Sequence, residues 1–313
     1  MRTKLVRSLA EGPFGKPSSL SIGVFDGVHL GHRYLVGRVM ESAQVSGHLS
    51  GVVTFDRHPD ELLAPHRDVL YLTTPTEKLQ LLSELGLDFV VALPFTSELA
   101  ETTARDFVLA LLKHLQMREL WIGPDFALGR GREGNGDYLE LLGKELGFQV
   151  HRPRPFSESG SVVSSSGIRA LVNEGRIAEA TQLLGRYPAI SGTVVRGSRR
   201  GHELGFPTAN LAMDDRLIIP PDGVYVARVL WEDANHAGVV NVGRRPTFEQ
   251  DGQTIVEAHI LDFTGDLYGK NVRVELVERL RPEQRFESVS ALIAQMETDV
   301  ANTRLVLKKA GLG

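Results

Sequence analysis

The chain contains no cysteine. That absence excludes disulfides, thiolate metal sites and cysteine nucleophiles, and it fits a reducing compartment such as the cytoplasm. Neither sign of charge is in large excess. The formal net charge is -4, so nothing global points to nucleic acid or to an anionic membrane surface. No apolar run is long enough to span a bilayer. The basic start, Met1-Arg2-Thr3-Lys4-Leu5-Val6-Arg7, lacks the long apolar region of a signal peptide. Internal repeats and low-complexity tracts are also missing. What remains is an ordinary soluble composition, 42% hydrophobic and 24% charged, in 313 residues, enough for two domains with sizeable cores. An oligomer is compatible with the sequence, which specifies none.

The pattern along the chain changes near its middle. Residues 19–25, 51–55, 89–93, 120–123 and 148–152 read as strands, alternating with helical periodicity over 32–46, from Pro75 to about 85, over 103–116 and up to about 146. Thr74-Pro75-Thr76-Glu77 has capping-box spacing with proline at the first helical position. Such alternation predicts an α/β, Rossmann-like domain with a doubly wound parallel sheet, whose ligands bind at the carboxyl ends of the strands. After Gly185 come short alternating runs at 189–196, 223–230, 238–243, 254–262 and 271–279, split by turn clusters. These predict an antiparallel barrel or sandwich. Apolar positions over 287–309 predict a closing helix. The boundary is expected near 185–189, giving domains 1–186 and 187–313.

One stretch organises the first half: Ile22-Gly23-Val24-Phe25-Asp26-Gly27-Val28-His29-Leu30-Gly31-His32. Glycines between a strand and a helix let the backbone approach a phosphate. The helix N-terminus offers N–H groups and a positive dipole end. Two imidazoles there can donate to charge developing on a polyphosphate. Read alone, His29 and His32 are equally turn residues or, with Asp26, a weak metal site. With Gly23, Phe25, Asp26, Gly27 and Gly31 in register, the segment resembles the signature of the nucleotidyltransferase superfamily. His58, in Asp56-Arg57-His58-Pro59, and the loop 123–136 sit at other strand ends and can converge with it.

Three further stretches carry chemistry with open alternatives. Ser161-Val162-Val163-Ser164-Ser165-Ser166-Gly167-Ile168-Arg169 supplies hydroxyls and a guanidinium fork suited to phosphate, or is simply a capped helix with a solvated arginine. Gly197 to Asn210 is a glycine- and arginine-rich loop that could cover phosphates, or an ordinary surface loop. Within it, Thr208 and Asn210 alternate on an extended segment and present two neutral oxygens that would suit Mg²⁺. In Thr254-Ile255-Val256-Glu257-Ala258-His259-Ile260, Glu257 shares with His259 the face opposite Val256, Ala258 and Ile260. It is a candidate general base or a solvated carboxylate.

Gly205-Phe206-Pro207-Thr208-Ala209-Asn210 resembles the riboflavin kinase signature. Asp222-Gly223-Val224-Tyr225, Asn241-Val242-Gly243-Arg244-Arg245-Pro246-Thr247-Phe248 and 261–269 are similar to its later blocks. Preceded by the two-histidine domain, the whole chain resembles the bacterial bifunctional riboflavin kinase/FAD synthetase family. That resemblance implies an N-terminal FMN adenylyltransferase domain and a C-terminal riboflavin kinase barrel with a terminal helix. It implies ATP, riboflavin and FMN as substrates, FAD as product, Mg²⁺ as the metal, and no nucleic-acid or membrane partner. By the same resemblance Glu257 is the kinase base, and Thr208 and Asn210 are the Mg²⁺–nucleotide ligands. His29 and His32 hold the triphosphate, and Ser165, Ser166 and Arg169 form a phosphate clamp. Asp125 and Phe126 belong to a flavin- and nucleotide-binding stretch, while His58, Gly205, Phe206, Pro207, Asn241, Arg279 and Arg285 are further binding positions. Two departures stand out: Ser166 where the family usually has threonine, and Arg57 where it has proline.

Overall fold

A computed structural model describes residues 3–12, 15–158, 160–197, 201, 204–244 and 254–312. The chain packs as two compact units, one of Met1–Val69 and Pro75–Ser165, the other of Leu70–Thr74 and Ser166–Gly313.

The first unit holds a sheet of six parallel strands: β1 (Lys4–Val6), β2 (Ser18–Ile22), β3 (Leu49–Phe55), β4 (Phe89–Leu93), β5 (Met117–Trp121) and β6 (Gln149–His151), in the order β1-β4-β3-β2-β5-β6. Strands buried on both faces tolerate no unpaired polar group. The serines of β2 comply: Ser18 Oγ donates to the Leu115 carbonyl at 2.7 Å and Ser21 Oγ to that of Trp121 at 2.9 Å. Ser19 Oγ donates to the Glu119 carboxylate at 3.1 Å. Glu119 is itself buried, which pushes its pKa up, but bonds from Ser42, Trp121, Ser19 and Ser46 outweigh that and hold it below the ordinary value.

Helices cover both faces. α1 (Leu30–Ser46) and α2 (Pro75–Ser83) bring Val36, Leu81 and Leu82 to Val52 and Val90. α3 (Ala104–Leu115) and α4 (Gly136–Leu146) bring Phe107, Leu111, Leu139 and Leu142 to Leu20, Val53 and Val91. Adjacent residues of one strand therefore feed different cores, as the two-residue period requires. The doubly wound sheet expected from the sequence is present. β2 is flanked by β3 on one side and β5 on the other, so the crevice beyond its carboxyl end is the topological switch point.

Two boundaries moved for a physical reason. The strand expected to reach residue 25 ends at Ile22, because Phe25 is left-handed with φ 54°. The helix expected from 32 begins at Leu30, with His29 as its N-cap. β1 lay outside the expected set, since three residues display no period.

The second unit is a closed barrel of antiparallel strands: β7 (Ala189–Val195), β8 (Thr208–Met213), β9 (Gly223–Trp231), β10 (Ala234–Arg244), β11 (Thr254–Ile260) and β12 (Asn271–Arg281), in the order β7-β8-β11-β10-β9-β12. Its interior is packed with Tyr225, Val229, Val240, Val256, Ala258 and Val274. α5 (Ser165–Asn173) and α6 (Ile177–Leu184) precede it, and Ile177 enters the barrel core. Segment 70–74 joins this unit through Tyr71, whose N–H donates to the Arg216 carbonyl at 2.7 Å and whose carbonyl accepts from Ile218 N at 2.8 Å. α7 (Val289–Lys309) is the expected terminal helix. Ser288 caps it, accepting from Ala291 N at 3.2 Å, and its Leu307 packs on Val226 and Val277 outside the barrel.

Candidate active sites

In the first unit a cavity of about 290 Å³ opens at the switch point. The turn after β2 lines it with Gly23, Phe25, His29, Gly31 and His32, and the loop after β5 with Asp125 and Phe126. The turn is strained: Phe25 and Val28 have φ of 54° and 38° beside Gly27 at 78°. Left-handed non-glycine residues cost about 1–3 kcal/mol each and persist only where the surroundings over-determine them. Here Thr54 Oγ1 donates to the Val24 carbonyl at 3.0 Å, and Ser165 Oγ to the Asp26 carbonyl at 2.9 Å. The result brings the two imidazoles face to face, 3.7 Å between centroids and 19° between planes. His29 Nδ1 accepts from His32 N at 3.3 Å, so the neutral ring carries its proton on Nε2 and donates from there. Gly31 makes this packing fit, since a methyl there would lie 3.1 Å from His29 Cε1.

The other positions expected of this site divide. Ser165, at the start of α5, lines the cavity. Asp26 and Gly27 shape the turn without lining the cavity. His58 does not line it; its Nδ1 accepts from Asp60 N at 3.1 Å. Ser166 and Arg169 follow on α5, 3.3 Å apart, and belong to the second unit by packing. Tyr34 and Phe156, ring centroids 5.7 Å apart, and Arg154 line the same cavity and were missed in the sequence. The signal that could have found them is the Pro153-Arg154-Pro155-Phe156 run just beyond β6, another carboxyl strand end.

In the second unit a cavity of about 550 Å³ lies against the outward face of β8, β11 and β10. Register builds it: Asn210 stands opposite Glu257, and Glu257 opposite Asn241, one row across three strands. Thr208 stands opposite His259 in the next row on that face. Thr208, Asn241, Glu257 and His259 line the cavity, while Val256, Ala258 and Ile260 turn into the barrel, as the alternation predicted. Asn210 is buried beside it against Gly197, where a methyl would come within 2.2 Å of Asn210 Nδ2. A methyl at Gly201 would come within 2.4 Å of the Phe206 carbonyl oxygen, with Thr208 Oγ1 in ordinary contact at 3.4 Å. Gly197 thus lets the backbone lie directly on Asn210, and Gly201 lets it pass close to the Phe206 carbonyl. The two neutral oxygen donors of Thr208 and Asn210 fit a hard divalent cation that takes its remaining ligands from phosphates and water.

Gly205 is left-handed at φ 85°, Phe206 meets His259 edge-on at 5.4 Å, and the Pro207 carbonyl lies 2.9 Å from His259 Nδ1. Arg279 does not line the cavity; its Nη2 donates to the Asp222 carbonyl at 2.8 Å. Arg285 is exposed and outside the lining. Of the quoted motifs, Arg245-Pro246-Thr247-Phe248 and residues 198–200 and 202–203 lie outside the described residues. The opposite wall was not foreseen. Phe286, Leu292, Met296 and Val300 supply apolar surface, and Arg281 pairs twice with buried Asp299, its Nη2 at 2.8 Å and its Nε at 3.1 Å.

Comparison with known proteins agrees with this architecture. The FAD synthetase family model matches residues 13–167 and the riboflavin kinase model residues 184–307. The bifunctional riboflavin kinase/FMN adenylyltransferase of Escherichia coli (strain K12) is 40% identical over 287 residues, 91% of each chain. The protein of the same description from Listeria monocytogenes is 34% identical over 292 residues, 93% of this chain and 92% of that one. A crystal structure described as a macrolide-efflux protein from Streptococcus pneumoniae superposes with a TM-score of 0.87 at 30% identity, over 97% of this chain and 99% of that one. Among the described residues here, no helix is long and apolar enough to cross a membrane. The chain belongs to the bifunctional riboflavin kinase/FMN adenylyltransferase family.

Proposed function

We propose that each cavity carries one of two successive reactions that convert riboflavin into FAD. The protein is a riboflavin kinase and an FMN adenylyltransferase, consuming ATP in both steps. This reading assigns the adenylyltransferase to residues 1–186 and the kinase to 187–313.

In the barrel, Glu257 takes the proton of the riboflavin ribityl hydroxyl as its oxygen attacks the γ-phosphorus of ATP, leaving ADP. Thr208 and Asn210 would hold Mg²⁺, which when bound neutralises phosphate charge. Asn241, beside Glu257 in register, orients the acceptor, and Gly205, Phe206 and Pro207 border the nucleotide. The apolar wall from α7 offers a ring-shaped substrate the surface it needs. Arg279 and Arg285 act from outside the cavity lining.

At the switch point, a phosphate oxygen of FMN attacks the α-phosphorus of a second ATP, and the bond to pyrophosphate breaks. His29 and His32 donate to the charge that grows on the phosphates in the transition state. Gly23, Gly27 and Gly31 allow close approach, Asp26 and Ser165 hold the turn, and Phe25, Asp125 and Phe126 border the bound molecules. His58 supplies a further phosphate contact in this reading, and Ser166 and Arg169, paired on α5, keep the phosphate-clamp role that the family resemblance implies. A cytoplasmic location is part of it, and the absence of cysteine suits it.

The observation that carries the proposal is the cross-strand row Asn210, Glu257, Asn241 with Thr208 beside it, because a binding surface alone needs no carboxylate aimed into the cavity. The test is a time course with riboflavin, ATP and Mg²⁺, with the flavins separated by chromatography. FMN should appear first and FAD after it. Flavin bound with no ATP consumed would sink the proposal.

A further inference from the structure

We propose that Lys78, which does not line the first-unit cavity, is a positioning residue for adenylyl transfer: its buried ammonium holds the two-histidine turn in place. The inference rests on placing that reaction at His29 and His32.

Lys78 sits mid-way along α2 on a helix face that also carries Leu81 and Leu82. Those leucines pack with Phe25 and Val28 of the turn. A lysine on such a face would ordinarily reach out to water. Lys78 does not: it is only 4% exposed, and its Nζ donates to the Phe55 carbonyl at 2.6 Å, at the last residue of β3. Two carboxylates attract it, Asp26 within the turn and Asp56 just after β3. Asp26 is 3% exposed, so its negative charge has little solvent to stabilise it. Asp56 is engaged elsewhere as well, accepting from Phe95 N at 2.9 Å and lying 3.6 Å from Arg57 Nε.

The ammonium therefore draws together the carboxyl ends of β2 and β3. The turn it reaches contains the left-handed Phe25 and Val28 and leads directly into His29. Hydroxyl bonds from Thr54 and Ser165 fix this turn at its carbonyl oxygens, and Lys78 supplies counter-charge for its one carboxylate. Burial, partly offset by Asp26 and Asp56, brings the lysine down to about 8, so it is charged at neutral pH and neutral above that value. Loss of the proton removes the attraction for Asp26, and the turn then loses one of its restraints.

The test uses the full chain and three variants: Lys78→Met, Lys78→Arg and His29→Ala. Adenylyl transfer is assayed with FMN supplied, and riboflavin phosphorylation on the same polypeptide reports folding. For Lys78→Met, kcat for FAD formation should fall about 10- to 100-fold, the cost of misplacing catalytic groups by a fraction of an ångström to an ångström. KM for ATP and FMN should stay within about twofold, since the histidines act on transition-state charge. Kinase activity should be unchanged. Lys78→Arg, which keeps the charge, should recover part of the loss. In the wild type, kcat for FAD formation should decline as pH rises through about 8, and Lys78→Met should lack that limb. Unchanged FAD formation in Lys78→Met, or a loss matched by the kinase, overturns the inference. So does an identical alkaline limb in the variant. If His29→Ala keeps full FAD formation, the fault lies instead with the site assignment on which the inference rests.

Discussion

In the first unit the cavity is made by chain that has just left parallel strands; in the second it lies on strands that continue beneath it. Backbone conformation dominates the former: three of the four turn positions 25–28, namely Phe25, Gly27 and Val28, are left-handed, and the histidines are placed by a helix cap. Register dominates the latter: Asn210, Glu257 and Asn241 are neighbours only because three strands pair with no slip there. The two architectures fail differently. A strained turn depends on several distant restraints, each removable singly. A row on a barrel is as stable as the ladder beneath it, and is disturbed chiefly by what lies on top.

The comparison is most sharply broken by removing the chemistry from one side at a time. Replacing His29 with alanine removes a donor to developing charge and should cost FAD formation about 100- to 1,000-fold. Replacing Glu257 with glutamine should cost riboflavin phosphorylation about 100- to 10,000-fold. Each variant is assayed with riboflavin and, separately, with FMN.

A smaller effect tests the role of the overlying loop. Gly197→Ala would force a methyl against Asn210, and the backbone at residue 197 or the Asn210 side chain must shift. FMN formation should drop about tenfold through a misplaced metal–nucleotide group, with the apparent Mg²⁺ requirement raised. FAD formation from supplied FMN should be untouched.

The smallest functional effect is expected from Arg281→Met. It leaves buried Asp299 without its charge partner, with only the Gln295 Nε2 bond at 2.9 Å to hold it, which should cost about 3 kcal/mol of stability and appear as a lower Tm. Kinase activity at low temperature should fall only a few-fold, because Arg281 holds the wall rather than the reacting atoms.

What could be read from the sequence followed from contiguity. The two-histidine turn occupies eleven consecutive residues, so its glycines and imidazoles announce each other. Alternation along 254–260 located Glu257 on the polar face, and the structure keeps it there. Features made by distance were not legible. Arg281 and Asp299 are eighteen positions apart and each looks solvated in sequence. Tyr34 and Phe156 meet only because β2, β5 and β6 are neighbours in the sheet. Lys78 reads as the polar stripe of an amphipathic helix, and nothing local shows that its ammonium ends under a strained turn. The strand Thr208–Met213 reads as an extended segment but not as a member of the barrel: its glycine- and arginine-rich approach hides its pairing with β7 before it, and its other partner β11 lies some forty residues away.

The separation of the two reactions is tested most directly by giving folded His29→Ala and Glu257→Gln each both substrates, with ATP and Mg²⁺, and following the flavins in time. His29→Ala should convert riboflavin to FMN and stop there. Glu257→Gln should leave riboflavin untouched yet turn supplied FMN into FAD. If either folded variant lost both conversions, the two cavities would not be separate sites and the account would be wrong.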